Sequence, residues 1–517
     1  MKKINISKVI LTILPIIAII PIFIQCIHGL HIGGIRTLIS FIFSGFNPSF
    51  DKDVVQSSWI GLQVTFCVAI ISWVISISMG LFLAIFSSYS LNKIIGIPEI
   101  ITNIIRRILT LPRATHELIW GLLFLQIFGL APWIAILAIV IPYSALMARV
   151  FAEQIDKIDL KSLIALKHIG SSKLQVLITA LLPKLIPIIG TYGSYRLECA
   201  IRGATLLGVF GLGGIGTEMQ LSILSLKFNE MWTSIWILFI AILLLEKALE
   251  YVQRPRFYFK NIGIFSLMCL LVLFIVFSTS IIWLNVLGVN LFVPFSIHLF
   301  SIPSSTNLLS AITSLPWLKL ILETILLMLL ASGIAIGLPP ILLMVSQARY
   351  GVKVLSIFWI FCRLIPTPLT TMLLLLCTNP SISVGALALG IQNMGVLGRL
   401  LKQNIDNQDT NIFTGIKATG ANSQLAWLYG KMSLQSNSYL TYSLYRTDVI
   451  LRETIVVGAV GGVGLGWQLK ESLSSFAWEE VLLITATFIS ITLIGETLSE
   501  KLQRRLLNKQ GNNAFHT

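Results

Sequence analysis

The chain has 517 residues, of which 56% are hydrophobic and only 11% charged, with a mean hydropathy of +0.87. A soluble domain carries about 25% charged residues, so the composition excludes a soluble globular protein and indicates an integral membrane protein. The net charge of +15 does not imply nucleic acid, because the basic residues cluster between apolar runs, as the cytoplasmic loops of membrane proteins do.

Residues 1–8 are basic and residues 9–27 carry no charge. That run is long for a signal peptide and lacks a small-residue cleavage site, so a retained first helix with a cytoplasmic N-terminus is expected. A second span is expected near 59–86, followed by Lys93, Arg106 and Arg107 on the inside. The charge-free run 118–148 exceeds one helix of about 20 residues. Gly129-Leu130-Ala131-Pro132 can turn it into a helical hairpin. A basic stretch, Arg149 to Lys184, returns to the cytoplasm, and spans near 186–210 and 231–247 close the first half. The second half repeats the plan, with spans near 262–284, 319–346, 354–377, 382–398, 438–460 and 479–497. On this reading the long outside loops hold only Arg36, Lys52, Lys227 and Lys470 of the 37 Lys plus Arg. The bias favours twelve spans with both termini cytoplasmic. Tryptophans near span ends (Trp59, Trp120, Trp133, Trp232, Trp283, Trp317, Trp478) read as interface anchors. The six cysteines are scattered without a C-x-x-C and the six histidines show no ligand spacing, so neither a disulfide frame nor a metal site is expected.

The stretch Arg149–Met219 recurs 250 residues later as Arg399–Leu469, with fifteen identities in 71 gap-free positions. They include Asp156/Asp406, Gly170/Gly420, Thr191/Thr441, Tyr195/Tyr445, Arg196/Arg446, Arg202/Arg452 and four glycine pairs. An internal repeat of this length makes the question one of two similar halves acting together.

On a helix at 100° per residue, Thr191, Tyr195, Glu198 and Arg202 fall within about 60° of one another, as do Thr441, Tyr445, Asp448 and Arg452. Arg196 and Arg446 fall on a different face. Ionisable residues inside a span are costly and point to function. One reading is the lining of an anion pathway, with arginines and tyrosine hydroxyls contacting oxyanion oxygens. The other is an internal ion pair, since Glu198–Arg202 and Asp448–Arg452 are each four apart in the favourable order; the two can coexist. Gly211-Leu-Gly213-Gly214-Ile-Gly216 satisfies G-x-G-x-x-G, but it follows a membrane helix rather than a strand, so a dinucleotide site is rejected. Gly208, Gly211, Gly214 and Gly216, with Gly458, Gly461, Gly464 and Gly466, are expected to permit a broken helix or close packing at a gate.

Asp159 to Lys173 suggests a short helix, a turn at Gly170 and a second short helix across the membrane surface, with Leu182-Pro183 re-entering the bilayer. An ordinary basic loop is the bland alternative. The spacing Ala165-x4-Gly170-x11-Leu182-Pro183 resembles the cytoplasmic coupling motif of ABC importer permeases, whose first acidic position is Ile164 here. Arg113 to Trp120 (RATHELIW), Ile155-Asp156, His168-Ile-Gly170, Tyr195 to Arg202 (YRLECAIR) and Ala204 to Gly216 are similar to phosphonate-type permeases. The second half matches more weakly, through Arg363 to Pro366, Ile405-Asp406, Lys417 to Gly420, Tyr445-Arg446, Arg452 and Gly458 to Gly466. Three departures stand out: Ser433 replaces the proline of Pro183, Leu425 to Lys431 (LAWLYGK) replaces the amphipathic pattern of the loop, and His116 occupies a position that Pro366 keeps.

The resemblance implies an all-α polytopic membrane protein. It would contain about twelve transmembrane helices in two tandem repeats of the type I ABC importer (MetI-like) permease fold, 1–258 (core about 59–247) and 259–517 (core about 319–497). It implies the membrane subunit of an ATP-driven importer of phosphonate, or of phosphite or phosphate, in the bacterial cytoplasmic membrane. Ala165, Gly170, Leu182, Pro183 and Gly420 would form loops docking on two copies of an ABC ATPase subunit. A periplasmic or extracellular solute-binding protein would deliver the substrate. No G-x-x-x-x-G-K-[ST] occurs, so ATP and Mg would be bound by those partners and the chain would be neither an enzyme nor a cofactor carrier. The rival reading is an ion-coupled secondary transporter with two six-helix repeats, whose signature would be an isolated intramembrane acid among Glu117, Glu198, Glu323 and Asp448. A membrane enzyme would need a clustered His/Asp or nucleophile constellation, which the sequence lacks.

Overall fold

The computed structural model describes residues 31–157, 181–252, 262–289, 311–346, 351–406 and 411–514, with scattered positions in 20–29 and 169–179. All of its regular structure in these residues is helical. The chain folds into two compact units, residues 44–300, and residues 301–517 together with 1–43. The first helix of the described chain, α1 (Ile32–Ser44), is grouped with residues 301–517 apart from its last residue.

In the unit of residues 44–300, α2 (Lys52–Ser87) has 36 residues and is about 54 Å long at 1.5 Å per residue, more than the hydrocarbon core of a bilayer. Its buried side includes Ser58, Gly61, Thr65, Ala69, Ser72, Ser76, Gly80 and Ala84. Small residues are what let membrane helices approach closely: a Cβ on Gly80 would lie 2.7 Å from Met147 Cβ. Two short helices follow, α3 (Tyr89–Ile95) and α4 (Glu99–Ile108). The hairpin expected at 118–148 is present as α5 (Glu117–Phe128) and α6 (Pro132–Lys157), turned at Gly129. Then come α7 (Leu182–Leu207), α8 (Ile215–Leu224), α9 (Phe228–Val252) and α10 (Ile262–Val286). Helix α2 packs chiefly on α6 and α7. Ser58 Oγ meets Ser234 Oγ of α9 at 2.8 Å, and Trp73 Nε1 donates to Gly193 O of α7 at 2.7 Å.

The other unit repeats this order as α11 (Trp317–Val345), α12 (Gly351–Leu364), α13 (Thr367–Leu375), α14 (Ile382–Asp406), α15 (Asn411–Ala418), α16 (Ser423–Trp427), α17 (Ser433–Gly461), α18 (Gly464–Ser474) and α19 (Trp478–Ala514). Its core gathers Leu327, Ile334, Trp359, Leu397, Trp427, Tyr439 and Ile450. Glycines of α14 admit neighbouring helices: a Cβ on Gly390 would sit 2.7 Å from Ile334 Cβ, and one on Gly395 would sit 2.7 Å from Trp359 O. Starts of matching helices keep the 250-residue offset at 117/367, 132/382 and 228/478.

Six described helices are long and apolar enough to cross a membrane, and three bent pairs raise the number to nine. The single span expected at 354–377 is instead α12 and α13, bent by 90° at Ile365-Pro366. The residue before a proline is pushed out of the helical region, so Pro366 ends α12 and opens α13. Trp478, expected at an interface, is buried. The compact units also cut the chain differently from the sequence repeats. Helix α10, expected to open the second repeat, packs on α2 and α7, while residues 1–43 are grouped with residues 301–517. There the His31 Nδ1 is 2.6 Å from Cys377 O, and Cys377 Sγ is 3.1 Å from Gly34 O. Thirty residues separate α10 from α11 (287–316), so nothing in the chain obliges α10 to pack on the core that follows it.

Candidate functional site

The polar stripe of each half lies on the helix that runs into the glycine stretch, α7 and α17. In α7, Arg202 Nη2 pairs with Glu198 Oε1 at 2.8 Å, both side chains mostly buried. In α17, Arg452 pairs with Asp448 in the same way, and its Nε also faces Asp448 O at 3.4 Å. The four-residue spacing therefore closes an ion pair in both halves. Tyr195 and Tyr445 on the same stripes stay 43% and 48% exposed, so each stripe presents a phenol beside a neutralised pair.

The second arginine of each half is held differently. Arg196 is only 8% exposed. Its Nε donates to Tyr192 Oη at 2.8 Å, and its guanidinium lies 5.0, 5.5 and 5.6 Å from the ring centres of Tyr192, Tyr143 and Tyr195. An arginine in a cage of aromatic faces keeps its charge out of water at a reduced cost. Arg446 instead donates through Nε to Asn393 Oδ1 and through Nη2 to Glu453 Oε1 at 3.3 Å, while Asn393 Nδ2 donates to Glu453 Oε2 at 2.8 Å. Tyr143, Tyr192, Asn393 and Glu453 were not among the sequence candidates. The identity Tyr192/Tyr442 inside the repeat was a usable signal; Tyr143 and Asn393 differ and left none.

The glycine stretches break both helices. Helices α7 and α8 meet at 51° and α17 and α18 at 56°. Gly214 and Gly464 have φ of 89° and 64°, a region that L side chains avoid. Close approach explains two further pairs. A Cβ on Gly208 would lie 2.6 Å from Gly213 O, and one on Gly458 would lie 2.6 Å from Val463 O. On Gly216 and Gly466 it would overlap the carbonyl oxygens of Thr205 and Ile455. Gly211 also has a positive φ, whereas Gly461 has ordinary room around it.

Each helix after the break is capped from outside. Thr65 Oγ1 accepts from Ile215 N at 2.9 Å and Thr324 Oγ1 accepts from Leu465 N at 3.0 Å. Glu323 Oε2 also accepts from Gly464 N at 2.9 Å. These threonines are 259 residues apart, outside the gap-free register.

Of the expected coupling loops, Gly170 and Gly420 both take φ near the left-handed region, 87° and 85°. The helix, turn and helix expected at Asp159 to Lys173 lie mostly outside the described residues; around Gly420 the same order is present as α15, the turn and α16. Trp427 at the end of α16 is buried in the core and Lys431 Nζ lies 4.7 Å over the Phe413 ring, which fixes the loop to its own unit. Ala165 lies outside the described residues. Leu182 and Pro183 open α7, as a proline in the first turn permits.

On the first half's loop side, Asp156 collects Ser88 Oγ at 2.6 Å, Ser90 N at 3.0 Å and Arg106 Nη2 at 2.9 Å. Arg106 stacks 3.9 Å over Tyr89. Its repeat partner Asp406 is exposed and only approaches Lys402 at 3.9 Å.

Residues 76–254 match the family model of the binding-protein-dependent transport system inner membrane component. The chain is 22% identical over 419 residues to the phosphate-import permease protein PhnE of Mycolicibacterium smegmatis, covering 78% of this chain and 77% of that one. It is 28% identical over 222 residues to the putative phosphite transport system permease protein HtxC of Stutzerimonas stutzeri, 43% of this chain and 74% of that one. It is 32% identical over 121 residues to the putative cryptic phosphonate transport system permease protein PhnE2 of Escherichia coli K12, 23% of this chain and 99% of that one.

Proposed function

We infer the function from the family outward: the chain belongs to the inner membrane components of binding-protein-dependent transport systems, and we propose that it imports a phosphorus oxyanion. The observation that carries this reading is the recurrence, 250 residues apart, of a loop glycine, an arginine-bearing polar stripe and a glycine-broken helix. The substrate class rests on three relatives named for phosphate, phosphite and phosphonate transport. An oxyanion suits the site's chemistry, since guanidinium groups bind such oxygens with two parallel hydrogen bonds.

The loops around Gly170 and Gly420 dock on two copies of an ATPase subunit and take up their motion. The stripes Tyr195–Glu198–Arg202 and Tyr445–Asp448–Arg452 contact the anion transiently, with Arg196 and Arg446 supplying positive potential behind them. The broken helices rock between outward and inward openings. An external solute-binding protein makes the choice among phosphonate, phosphite and phosphate, and both chain termini are cytoplasmic.

An ion-coupled carrier needs an acid that exchanges its proton during the cycle. Of the four candidate acids, Glu198 and Asp448 are held by arginines and Glu323 by the Gly464 amide, with Lys319 at 3.9 Å, which disfavours those three; Glu117 lies 3.4 Å from His116 Nδ1. The test is uptake of labelled orthophosphate, phosphite and methylphosphonate by the assembled transporter. Arg202→Ala is expected to cut uptake at least about tenfold, the effect of about 1.4 kcal/mol, with the ATPase still co-purifying. Unchanged transport of every anion would refute the pathway, and absence of a co-purifying ATPase would refute the importer.

A further inference from the structure

The two buried arginines share a register position but not a counter-charge. Glu453 in α17 supplies it for Arg446, and the equivalent residue in α7 is Gly203. Gly203 is not an empty counterpart. A Cβ built on it would lie 3.2 Å from Glu117 Oε1 and 3.5 Å from Tyr143 Oη. The room that the Glu453 side chain takes in one half is thus held by a carboxylate in the other, delivered from α5 instead of α7. The position equivalent to Glu117 is Thr367. A carboxylate has moved between two walls of the same pocket.

The residue beside the carboxylate changes in step. Tyr143 on α6 corresponds to Asn393 on α14. Asn393 links Arg446 to Glu453 by one hydrogen bond to each. Tyr143 turns its ring to Arg196 at 5.5 Å, while its hydroxyl donates to Cys199 O at 3.2 Å and faces the same Gly203 position as Glu117 Oε1. The first half thus sets Arg196, Tyr143 and Glu117, and the second Arg446, Asn393 and Glu453, at corresponding places. A plainer account of Glu117 is that an acid suits the first turn of α5, where its carboxylate also lies 3.4 Å from His116 Nδ1. That account gives no reason for a carboxylate to reappear at 453 beside the residue that replaces Tyr143.

We propose that Glu117 and Glu453 are equivalent positioning residues, each fixing the buried arginine of its half (Arg196, Arg446) and limiting the positive potential that the arginine offers a passing anion. This rests on the anion-import reading for its last clause only. A bare buried guanidinium would hold an oxyanion too long to release it, whereas one tied to a carboxylate can pass it on.

The experiment transplants one half's arrangement into the other. Glu117→Thr alone is expected to lower uptake of orthophosphate and methylphosphonate by the assembled transporter at least about tenfold and to lower the melting temperature of the purified permease. Glu117→Thr with Gly203→Glu copies the second half and is expected to recover most of both. The reverse pair, Glu453→Gly with Thr367→Glu, is expected to do the same relative to Glu453→Gly. Glu117→Gln keeps the shape, so it covers the case in which the threonine variant fails to fold, and wild-type uptake by it would overturn the charge role. Double variants no better than the singles in uptake and melting would overturn the equivalence. If the wild type moves none of these anions, the import reading fails, while the melting series still decides whether the carboxylates are interchangeable.

Discussion

The outside caps on α8 and α18 offer the sharpest measurable consequence of the fold. Thr65 and Thr324 are 2% and 3% exposed, so water cannot replace a hydroxyl removed there. Valine preserves the shape but leaves the Ile215 or Leu465 amide without its acceptor at 2.9 or 3.0 Å. A buried donor stranded in this way costs about 1–3 kcal/mol. Each threonine hydroxyl also donates to its own helix, to Gly61 O at 2.9 Å and Leu320 O at 2.8 Å. That bond is lost at little cost, since a carbonyl inside a helix keeps its backbone partner. With about 2 kcal/mol as the central value, and about 2–4 °C per kcal/mol for units of this size, each Thr→Val substitution lowers the melting temperature by about 4–8 °C. Serine at either site keeps the acceptor and is expected to melt within about 0.5–1 kcal/mol of wild type, the loss of one methyl. The assay is thermal melting of the purified permease in detergent. Equal melting of Thr65→Val and wild type, or equal losses from Val and Ser, would refute the capping role.

Other substitutions separate residues that look alike in sequence. Gly466→Ala forces a Cβ onto Ile455 O and is expected to cost about 1–3 kcal/mol, as overpacking does. Gly461→Ala meets only Thr371 at 3.5 Å within a helix and is expected to be neutral or stabilising by up to about 1 kcal/mol, read by the same melting assay. Asp156→Asn removes the charge that ties Arg106 to Ser88 and Ser90, so residues 89–108 are expected to become sensitive to limited proteolysis. Asp406→Asn, at an exposed carboxylate 3.9 Å from Lys402, is expected to change nothing in that assay.

Much of the fold was legible because its signals are local. Charge-free runs located the helices, the Gly129 turn located the hairpin, and the gap-free repeat anticipated which helices match. The bend at Pro366 was missed because residues 354–377 carry one charge and read as a single apolar span. Burial of Trp478 was missed for a related reason: a tryptophan at a helix start looks the same whether it meets lipid or a neighbouring helix. In the site, the i,i+4 pairs were readable because helix geometry alone closes them. Contacts between helices distant in sequence, such as Thr65 with Ile215 or Asn393 with Glu453, carry no spacing signature. Arg106 was visible but served only as a marker of sidedness, because its partner lies 50 residues away.

The pattern of what the two halves share follows from how many solutions each physical demand allows. A backbone that passes against another carbonyl admits only glycine, so Gly208/Gly458 and Gly216/Gly466 stay identical. A left-handed turn is nearly as restrictive, and Gly170/Gly420 persist. A counter-charge is different, because any wall of a pocket can supply it. Glu117 and Glu453 reach corresponding space from different helices; Asn393 links Arg446 to Glu453, while Tyr143 turns its ring to Arg196. Identity of these glycines therefore marks where the backbone has no alternative, whereas the carboxylates assigned to the buried arginines lie in positions where the halves differ. A search for functional residues that compares only identical positions would keep Arg196, Arg446, Tyr192 and Tyr195 but discard Tyr143, Asn393, Glu117 and Glu453. In the proposed pathway, those groups would set how firmly a passing anion is gripped, which is the property that a route, unlike a binding site, must keep low.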